Sequence, residues 1–179
     1  MITKCERNKV REKWLLRRQR LAGLFDYAKE VIKGRWPEAE PYLINNWHWS
    51  LRYAKEIIKG RWYEAEPIIL QSDTPRLCEY ARDAIKGRWP EAEPLILQDR
   101  ISIIHYARDV IKGRWPEGEE VIKEIPVFAC AYAIDIIKDR WLEAEELMTQ
   151  SDAVWDRYTQ FLESLGKNID TWKVEGDWI

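Results

Sequence analysis

A fifteen-residue motif recurs along the chain, and this repetition constrains the fold more than any other feature of the sequence. The copies begin at Tyr27, Tyr53, Tyr80, Tyr106 and Tyr132, at steps of 26, 27, 26 and 26 residues. One further step of 26 residues reaches Tyr158, in a degenerate sixth copy. A period of this length indicates an array of small units, since each unit alone cannot bury its apolar face.

The first half of each unit has the periodicity of a helix. Apolar residues recur at steps of three and four, as in Leu77, Ala81 and Ala84, which is typical of one face of a helix of about three turns. A residue that tolerates the left-handed conformation follows. We expect the first helix to end there, at Gly34, Gly60, Gly87, Gly113 and, in the fifth unit, Asp139.

The second half of each unit begins with the sequence Arg-Trp-Pro-Glu-Ala-Glu or a close variant. Proline and glutamate suit the first turn of a second helix, as at Pro37 and Glu38. A second proline, which removes a backbone hydrogen bond, follows in three units at Pro41, Pro67 and Pro94, whereas Glu120 and Glu146 stand there in later units. We therefore expect a short helix that bends or restarts at this place.

These patterns predict an all-α fold in which helical hairpins of about 26 residues stack as an α-solenoid. Residues 21–150 form five repeats, residues 1–20 a basic N-terminal cap with a helix from about Arg7 to Arg20, and residues 151–179 the degenerate sixth repeat and a C-terminal cap. No linker rich in Gly, Pro or Ser divides the chain, so residues 1–179 are predicted to be one domain.

Composition limits the cellular setting and the class of partner. The chain has 29 Lys and Arg against 31 Asp and Glu, a net charge of -2, so as a whole it is neither a basic nucleic-acid binder nor an acidic mimic. Three cysteines without close spacing indicate no disulfide framework. The longest uncharged stretch, residues 41–51, is too short to cross a bilayer, and we expect a cytoplasmic protein without a membrane partner.

Catalytic and metal-binding motifs are not found in the sequence. The paired glutamates of each repeat lack the spacing of helical metal ligands, and His48 and His105 have no repeated partner. Phosphate-binding loops, nucleophile elbows and zinc motifs are absent as well. We therefore predict no enzyme, no catalytic residue, no metal and no cofactor.

The repeated aromatic and charged residues each allow two interpretations. The repeated tryptophans could stack bases, but their unvarying position in the motif favours packing between units. They are Trp36, Trp62, Trp89, Trp115 and Trp141. The arginines preceding them could form a phosphate-binding column, yet nearly equal charge counts favour pairing with the glutamates of the motif. Weak helical ion pairs are also expected between the acidic residues Glu30, Glu56, Asp83, Asp109 and Asp135 and lysines three residues later.

Residues that depart from the repeat are the candidates for partner binding. Trp47, His48 and Trp49 stand at a joint between units, where large aromatics suit a hot spot or local burial. The N-terminal segment has a net charge of +6, against -8 for the rest, and carries Arg7, Arg11, Arg17, Arg18 and Arg20 around Trp14. It either docks on nucleic acid or an acidic protein, or lies across the body as a cap. Trp172 and Trp178 make the tail apolar enough to fold back or enter another subunit.

The unit YAxxVIKGRWPEAEP resembles the tandem repeat of uncharacterised proteins found mostly in bacteriophage genomes and in some bacteria. The resemblance covers residues 24–148; Tyr63 and Leu142 replace proline, Gly118 replaces alanine and Asp139 replaces glycine. It implies a phage origin and a scaffold role, and no catalytic residue.

The leading hypothesis is a non-enzymatic scaffold with which a phage binds and inhibits a protein of its host, such as a defence factor, in the host cytoplasm. The alternative is a nucleic-acid binder that uses the basic N-terminal helix and the repeated Lys and Arg residues. A weaker alternative is capture of a nucleotide between Trp and Arg side chains. The sequence also leaves a homo-oligomer open.

Overall fold

The computed structural model describes residues 4–18 and 20–167, with side chains from Arg7 onward. Within these ranges every regular element is helical and no strand occurs. The chain forms two compact units, Met1–Ala92 and Glu93–Ile179, here called the N-terminal and C-terminal units. The division falls inside the third repeat, and a single domain over residues 1–179 stays a prediction.

The first helix of each repeat has two parts. Seven α-helical residues end at the repeated tyrosine, and a π-helix of five residues follows directly. These helices are α2 (Leu21–Tyr27, then Ala28–Ile32), α4 (Trp47–Tyr53, then Ala54–Ile58), α6 (Thr74–Tyr80, then Ala81–Ile85), α8 (Arg100–Tyr106, then Ala107–Ile111) and α10 (Pro126–Tyr132, then Ala133–Ile137). The predicted helix of about three turns is therefore present, but its last turn is wider than an α-helix.

The residue that ends each of these helices in the left-handed conformation is a lysine. The φ angle lies between 56° and 62° at Lys33, Lys59, Lys86, Lys112 and Lys138. The prediction that the following glycine, or Asp139, takes this conformation is wrong. The reason lies in the π turn: the N–H groups of Lys86 and Gly87 both donate to the Ala81 carbonyl, at 2.7 and 3.2 Å, so the chain reverses one residue earlier.

The second helix of each repeat depends on the second proline. It has four residues where that proline is present, in α3 (Glu40–Leu43), α5 (Glu66–Ile69, preceded by a 3-10 turn over Tyr63–Ala65) and α7 (Glu93–Ile96). Where glutamate replaces the proline, the helix is continuous over seven residues in α9 (Pro116–Ile122) and α11 (Leu142–Met148). The expected bend or restart occurs in the three units with the second proline, whose missing N–H explains it. For the two units with glutamate at this place the expectation is wrong.

The core repeats one tyrosine, one tryptophan and small residues per unit. The five repeated tyrosines and five repeated tryptophans are buried, and within each repeat the two ring centroids lie 4.9–5.4 Å apart. Fully buried alanines, such as Ala54 and Ala65, let the helices approach these rings. The packing interpretation of the repeated aromatics is confirmed.

Two terminal helices flank the repeats. Helix α1 (Lys4–Arg18) buries Leu15, and a Cβ placed on Gly23 would come within 3.1 Å of that side chain, so α1 lies close against α2. Helix α12 (Asp152–Ser164) supplies Tyr158, which is fully buried. Trp172 and Trp178 lie outside the described residues, and the prediction made for them stays a prediction. No helix in the described ranges is long and apolar enough to cross a membrane.

Candidate partner-binding surface

Within each compact unit, the repeated tyrosine contacts the repeat that precedes its own. In the N-terminal unit the Tyr53 hydroxyl accepts the backbone N–H of Trp36 at 2.6 Å and donates to Glu40 at 3.1 Å. Tyr80 makes the same two contacts with Trp62, at 2.8 Å, and with Glu66, at 3.2 Å. A buried hydroxyl that both accepts and donates satisfies polar groups that burial would otherwise leave unpaired.

The same arrangement recurs in the C-terminal unit. The Tyr132 hydroxyl accepts the Trp115 N–H at 2.7 Å and donates to Glu119 at 3.2 Å, and Tyr106 donates to Glu93 at 3.0 Å. Burial raises the pKa of the Tyr132 hydroxyl well above its ordinary value, as it does for Tyr80 and Tyr158. These hydroxyls therefore stay protonated and can donate at neutral pH.

The repeated arginines are held by glutamates of their own repeat. Each contact is bidentate, Nε and an Nη each donating to one carboxylate oxygen at 2.6–2.9 Å. The pairs are Arg35–Glu40, Arg61–Glu66, Arg114–Glu119 and Arg140–Glu145. Pairing, rather than a phosphate-binding column, is confirmed for these arginines. Because the repeated tryptophan rings beside them are buried, the arrangement offers no support for a nucleotide held between Trp and Arg.

A second set of ion pairs joins the first helices of neighbouring repeats. Lys29 contacts Glu56 of the next repeat at 2.8 Å, and Lys55 contacts Asp83 of the next repeat at 2.7 Å. Hydrogen bonds from Arg82 and Lys55 lower the pKa of Asp83 to about 2. The predicted pairing of these acidic residues with lysines three positions later is wrong, because the left-handed turn takes those lysines off the helical face.

Helix α1 closes the first repeat with one face. The Tyr27 hydroxyl donates to the Glu12 carboxylate, at 3.2 Å, and to the Asn8 carbonyl, at 3.3 Å. Glu12 therefore stands where the other junctions have a glutamate of the preceding repeat. These contacts are the kind that the cap interpretation of the N-terminal segment requires, and the interpretation itself stays a prediction.

The exposed side of α1 carries four of the eleven predicted partner-binding residues. Spacings of four, three and four place Arg7, Arg11, Trp14 and Arg18 along one exposed line, with Val10 beside it; these five residues are here called the α1 face. Trp14 is 49% exposed and Val10 is 68% exposed. The guanidinium of Arg18 lies 5.0 Å from the Trp14 ring centroid.

The cations of α1 differ from those of the repeats. Among the side chains that the structure describes, none of the α1 cations has a carboxylate within ion-pair distance; these are Arg7, Lys9, Arg11, Lys13, Arg17 and Arg18. Arg11 instead lies over the Tyr27 ring, with 5.3 Å between its guanidinium carbon and the ring centroid. Arg20 is exposed at the residue that precedes α2. The structure therefore presents concentrated positive charge together with an exposed indole.

The aromatic triplet lies in a helix rather than in a connection, which corrects the sequence interpretation. Trp47, His48 and Trp49 form the first turn of α4, whose N-terminal cap is the Asn46 side chain accepting the Trp49 N–H at 3.2 Å. The Trp49 ring lies 5.5 Å from that of Phe25 and is half-buried. Trp47 is likewise half-buried and His48 is exposed, so local burial accounts for part of both tryptophans and leaves His48 on the surface.

Two exposed apolar residues were not assigned a function from the sequence. Tyr63 is 67% exposed, with the Arg61 guanidinium 4.7 Å from its ring centroid, and Leu142 is 64% exposed. Both stand where other repeats have proline. Their departure from the motif was the signal that could have singled them out.

No protein-family model matches the chain, and no curated protein or solved structure shows significant similarity to it. Over the described residues, no group of three or more His, Cys, Asp or Glu side chains is arranged to hold a metal ion. The site must therefore be interpreted from its own chemistry.

Proposed function

We propose that the protein is a non-enzymatic scaffold that binds another protein through the α1 face. One observation carries the proposal: the arginines of the repeats are held by glutamates, whereas the cations of α1 are exposed beside Trp14. Arginines that already pair with glutamates of their own repeat are less available to a partner, so the cations of α1 are the ones expected to bind it.

The chemistry of the α1 face favours a partner with surface carboxylates. A guanidinium presents several donors in a planar fork that matches a carboxylate, and Arg and Trp are enriched among the residues that dominate binding energies. The stacking of Arg18 on Trp14 and of Arg11 on Tyr27 orients both guanidinium groups in advance. Such orientation lowers the entropy lost on binding.

The scaffold itself is proposed to be a single α-solenoid of helical hairpins. The support is the tyrosine contact, which recurs between successive repeats inside each compact unit. Following the resemblance to phage repeat proteins, we propose that the partner is a host factor, met in the host cytoplasm and inhibited by occupancy.

The experiment is capture of partners from a bacterial lysate on the immobilised protein, followed by direct binding measurements with the captured partner. The variant Arg7→Glu/Arg11→Glu/Arg18→Glu should lose capture. The matched control Lys33→Glu/Lys59→Glu/Lys86→Glu makes the same charge change at three exposed repeat lysines and should retain it. Equal losses in both variants would contradict a specific role of the α1 face.

Nucleic-acid binding is the second candidate function, and the net charge of +6 over residues 1–20 favours it. The exposed Val10 argues for protein, because a phosphate backbone offers an apolar side chain nothing to contact. The two functions differ in salt dependence, since the affinity for nucleic acid falls steeply with each phosphate contact. Binding of a DNA duplex that disappears in the α1 variant would replace the protein partner with nucleic acid.

A further inference from the structure

The two compact units carry opposite charge. The N-terminal unit has 19 basic and 13 acidic residues, a net charge of +6, and the C-terminal unit has 10 basic and 18 acidic residues, a net charge of -8. Residues 21–92 are balanced, with 11 of each sign, so the positive excess comes entirely from the segment that contains α1. An acidic surface of the kind that would complement the α1 face is therefore present on this chain itself.

Part of the negative excess lies on the second helices of the C-terminal unit. Helix α9 exposes Glu117 and Glu120, and α11 exposes Glu143 and Glu146, in each case three residues apart and so on one side of the helix. Glu120 also contacts Lys123 of its own helix at 2.6 Å, an exposed ion pair of the kind that contributes little to stability. Glu120 and Glu146 occupy the place of the second proline, the substitution that makes these two helices continuous. The departure from the motif thus adds a carboxylate to each exposed side.

The α1 face has the form of a helix-packing surface. Its outer residues, Arg7 and Arg18, are eleven positions apart, which is about 16 Å along a helix. Trp14 and Val10 supply apolar area between the guanidinium groups and are 49% and 68% exposed. A surface of this kind fits a partner helix whose exposed side carries glutamates, because the apolar residues can pack while the charges pair.

We propose that the α1 face of one copy docks on the acidic C-terminal unit of a second copy, over α9 and α11. The inference does not require a host partner, although it uses the same face as the proposed function. The contact joins two different surfaces. Each assembly therefore still has one unoccupied α1 face and one unoccupied acidic unit, to which further copies can add unless a ring closes. Self-association and partner binding then compete for α1.

The test is the mass distribution of the purified full-length protein in sedimentation velocity, over a range of protein concentration and salt. We expect mass to rise above that of the monomer with increasing concentration at low salt. It should return toward the monomer at about 0.5 M salt, where exposed charges are screened. A wild-type protein that stays monomeric at every concentration and low salt would overturn the inference.

Two charge-reversed variants test the complementarity itself. The first is Arg7→Glu/Arg11→Glu/Arg18→Glu, and the second is Glu117→Arg/Glu120→Arg/Glu143→Arg/Glu146→Arg. Each alone should be monomeric, with the circular dichroism of the wild type, and a mixture of the two should associate because each supplies the surface that the other needs. A mixture that stays monomeric, or a first variant that still associates alone, would overturn the inference.

Capture of the host partner by the second variant tests the proposed function separately from self-docking. The second variant keeps the α1 face intact and monomeric, so it should capture the host partner at least as well as the wild type. If the wild type never self-associates but the second variant still captures the host partner, the proposed function stands and only the self-docking is overturned. Self-association without any captured partner would do the reverse.

Discussion

The Tyr158 hydroxyl donates to the Glu145 carboxylate at 3.0 Å and accepts the Trp141 N–H at 2.7 Å. These are the contacts of the regular junctions, although the sequence after Tyr158 has lost the rest of the motif. The tyrosine is therefore the part of the sixth copy that the fifth repeat requires. Glu145 is 1% exposed, and its carboxylate is satisfied by Tyr158 and Arg140 together.

Removal of one junction hydroxyl should destabilise the protein. In Tyr80→Phe the buried Trp62 N–H loses its acceptor and Glu66 loses a donor. Leaving such groups unpaired costs about 1–3 kcal/mol of the free energy of unfolding. Urea denaturation followed by circular dichroism measures this loss. Tyr63→Phe removes an exposed hydroxyl from the same unit and should change the free energy by less than about 0.5 kcal/mol.

Loss of a repeat arginine should cost more than loss of a surface arginine. Arg140→Ala leaves the buried Glu145 carboxylate without its cation, and we expect a destabilisation of about 2–4 kcal/mol. Adding Glu145→Gln should recover part of this, because an amide is cheaper to bury than a charge. In the exposed pair Arg108–Asp109, Arg108→Ala should cost no more than about 1 kcal/mol. Equal costs at the two sites would contradict the importance of burial.

The helices and the core of the repeats could be predicted from the sequence because their signals are local and repeated. The π turn could not, since its hydrogen bonds differ from those of an α-helix by one residue and no composition marks the change. The left-handed residue was mispredicted for the same reason. Glycine tolerates this conformation best, yet the π turn places the lysine before it in the left-handed conformation. The contact between Tyr53 and Glu40 was hidden because it crosses from one repeat to the preceding one.

The residues of the candidate site stay a prediction, and only part of their geometry could be predicted from the sequence. Spacing along α1 was sufficient to place Arg7 and Arg18 on one line. The Trp49 ring contacts Phe25 of the preceding repeat, and no sequence pattern indicates that contact. The division of α1 into a capping side and an exposed side likewise depended on Tyr27, the tyrosine without a preceding repeat.

Alkaline pH should destabilise the repeat junctions. Burial raises the pKa of Tyr53 to about 12, whereas an unfolded tyrosine ionises near 10, so the folded state holds the proton more tightly. The stability from this group is fully present below about pH 10 and is lost as the pH rises toward 12, by up to about 1.4 kcal/mol per pH unit. Urea denaturation at a series of alkaline pH values measures the slope. Tyr53→Phe should give a shallower decline, and an unchanged slope would contradict the assignment.

The position of the left-handed residue gives a prediction that separates lysine from glycine. Valine tolerates this conformation poorly, so Lys112→Val should cost about 1–2 kcal/mol. Gly113→Ala should be within about 0.5 kcal/mol of the wild type, because its φ is ordinary and a Cβ there meets no atom within 4 Å. Thermal unfolding of both variants checks the ranking. A large loss from Gly113→Ala with none from Lys112→Val would restore the glycine as the capping residue.

Gly118 is the alanine position of the fourth repeat, and its neighbours explain the missing methyl group. A Cβ there would lie 2.7 Å from Cγ2 of Ile103 and 2.8 Å from a ring carbon of Trp115. The position of Ile103 is held by Leu24 in the first repeat and Leu77 in the third, and both of these repeats have alanine at the position of Gly118. Gly118→Ala should therefore destabilise the protein by about 1–3 kcal/mol through overpacking.

The compensating change follows from the other repeats. Ile103→Leu removes the branched methyl group and should cost less than about 1.5 kcal/mol alone. Combined with Gly118→Ala, it recreates the pairing of the first and third repeats, and the double variant should be more stable than Gly118→Ala by about 1 kcal/mol or more. A denaturant double-variant cycle measures this coupling. Strict additivity of the two changes would show that Ile103 does not determine the glycine.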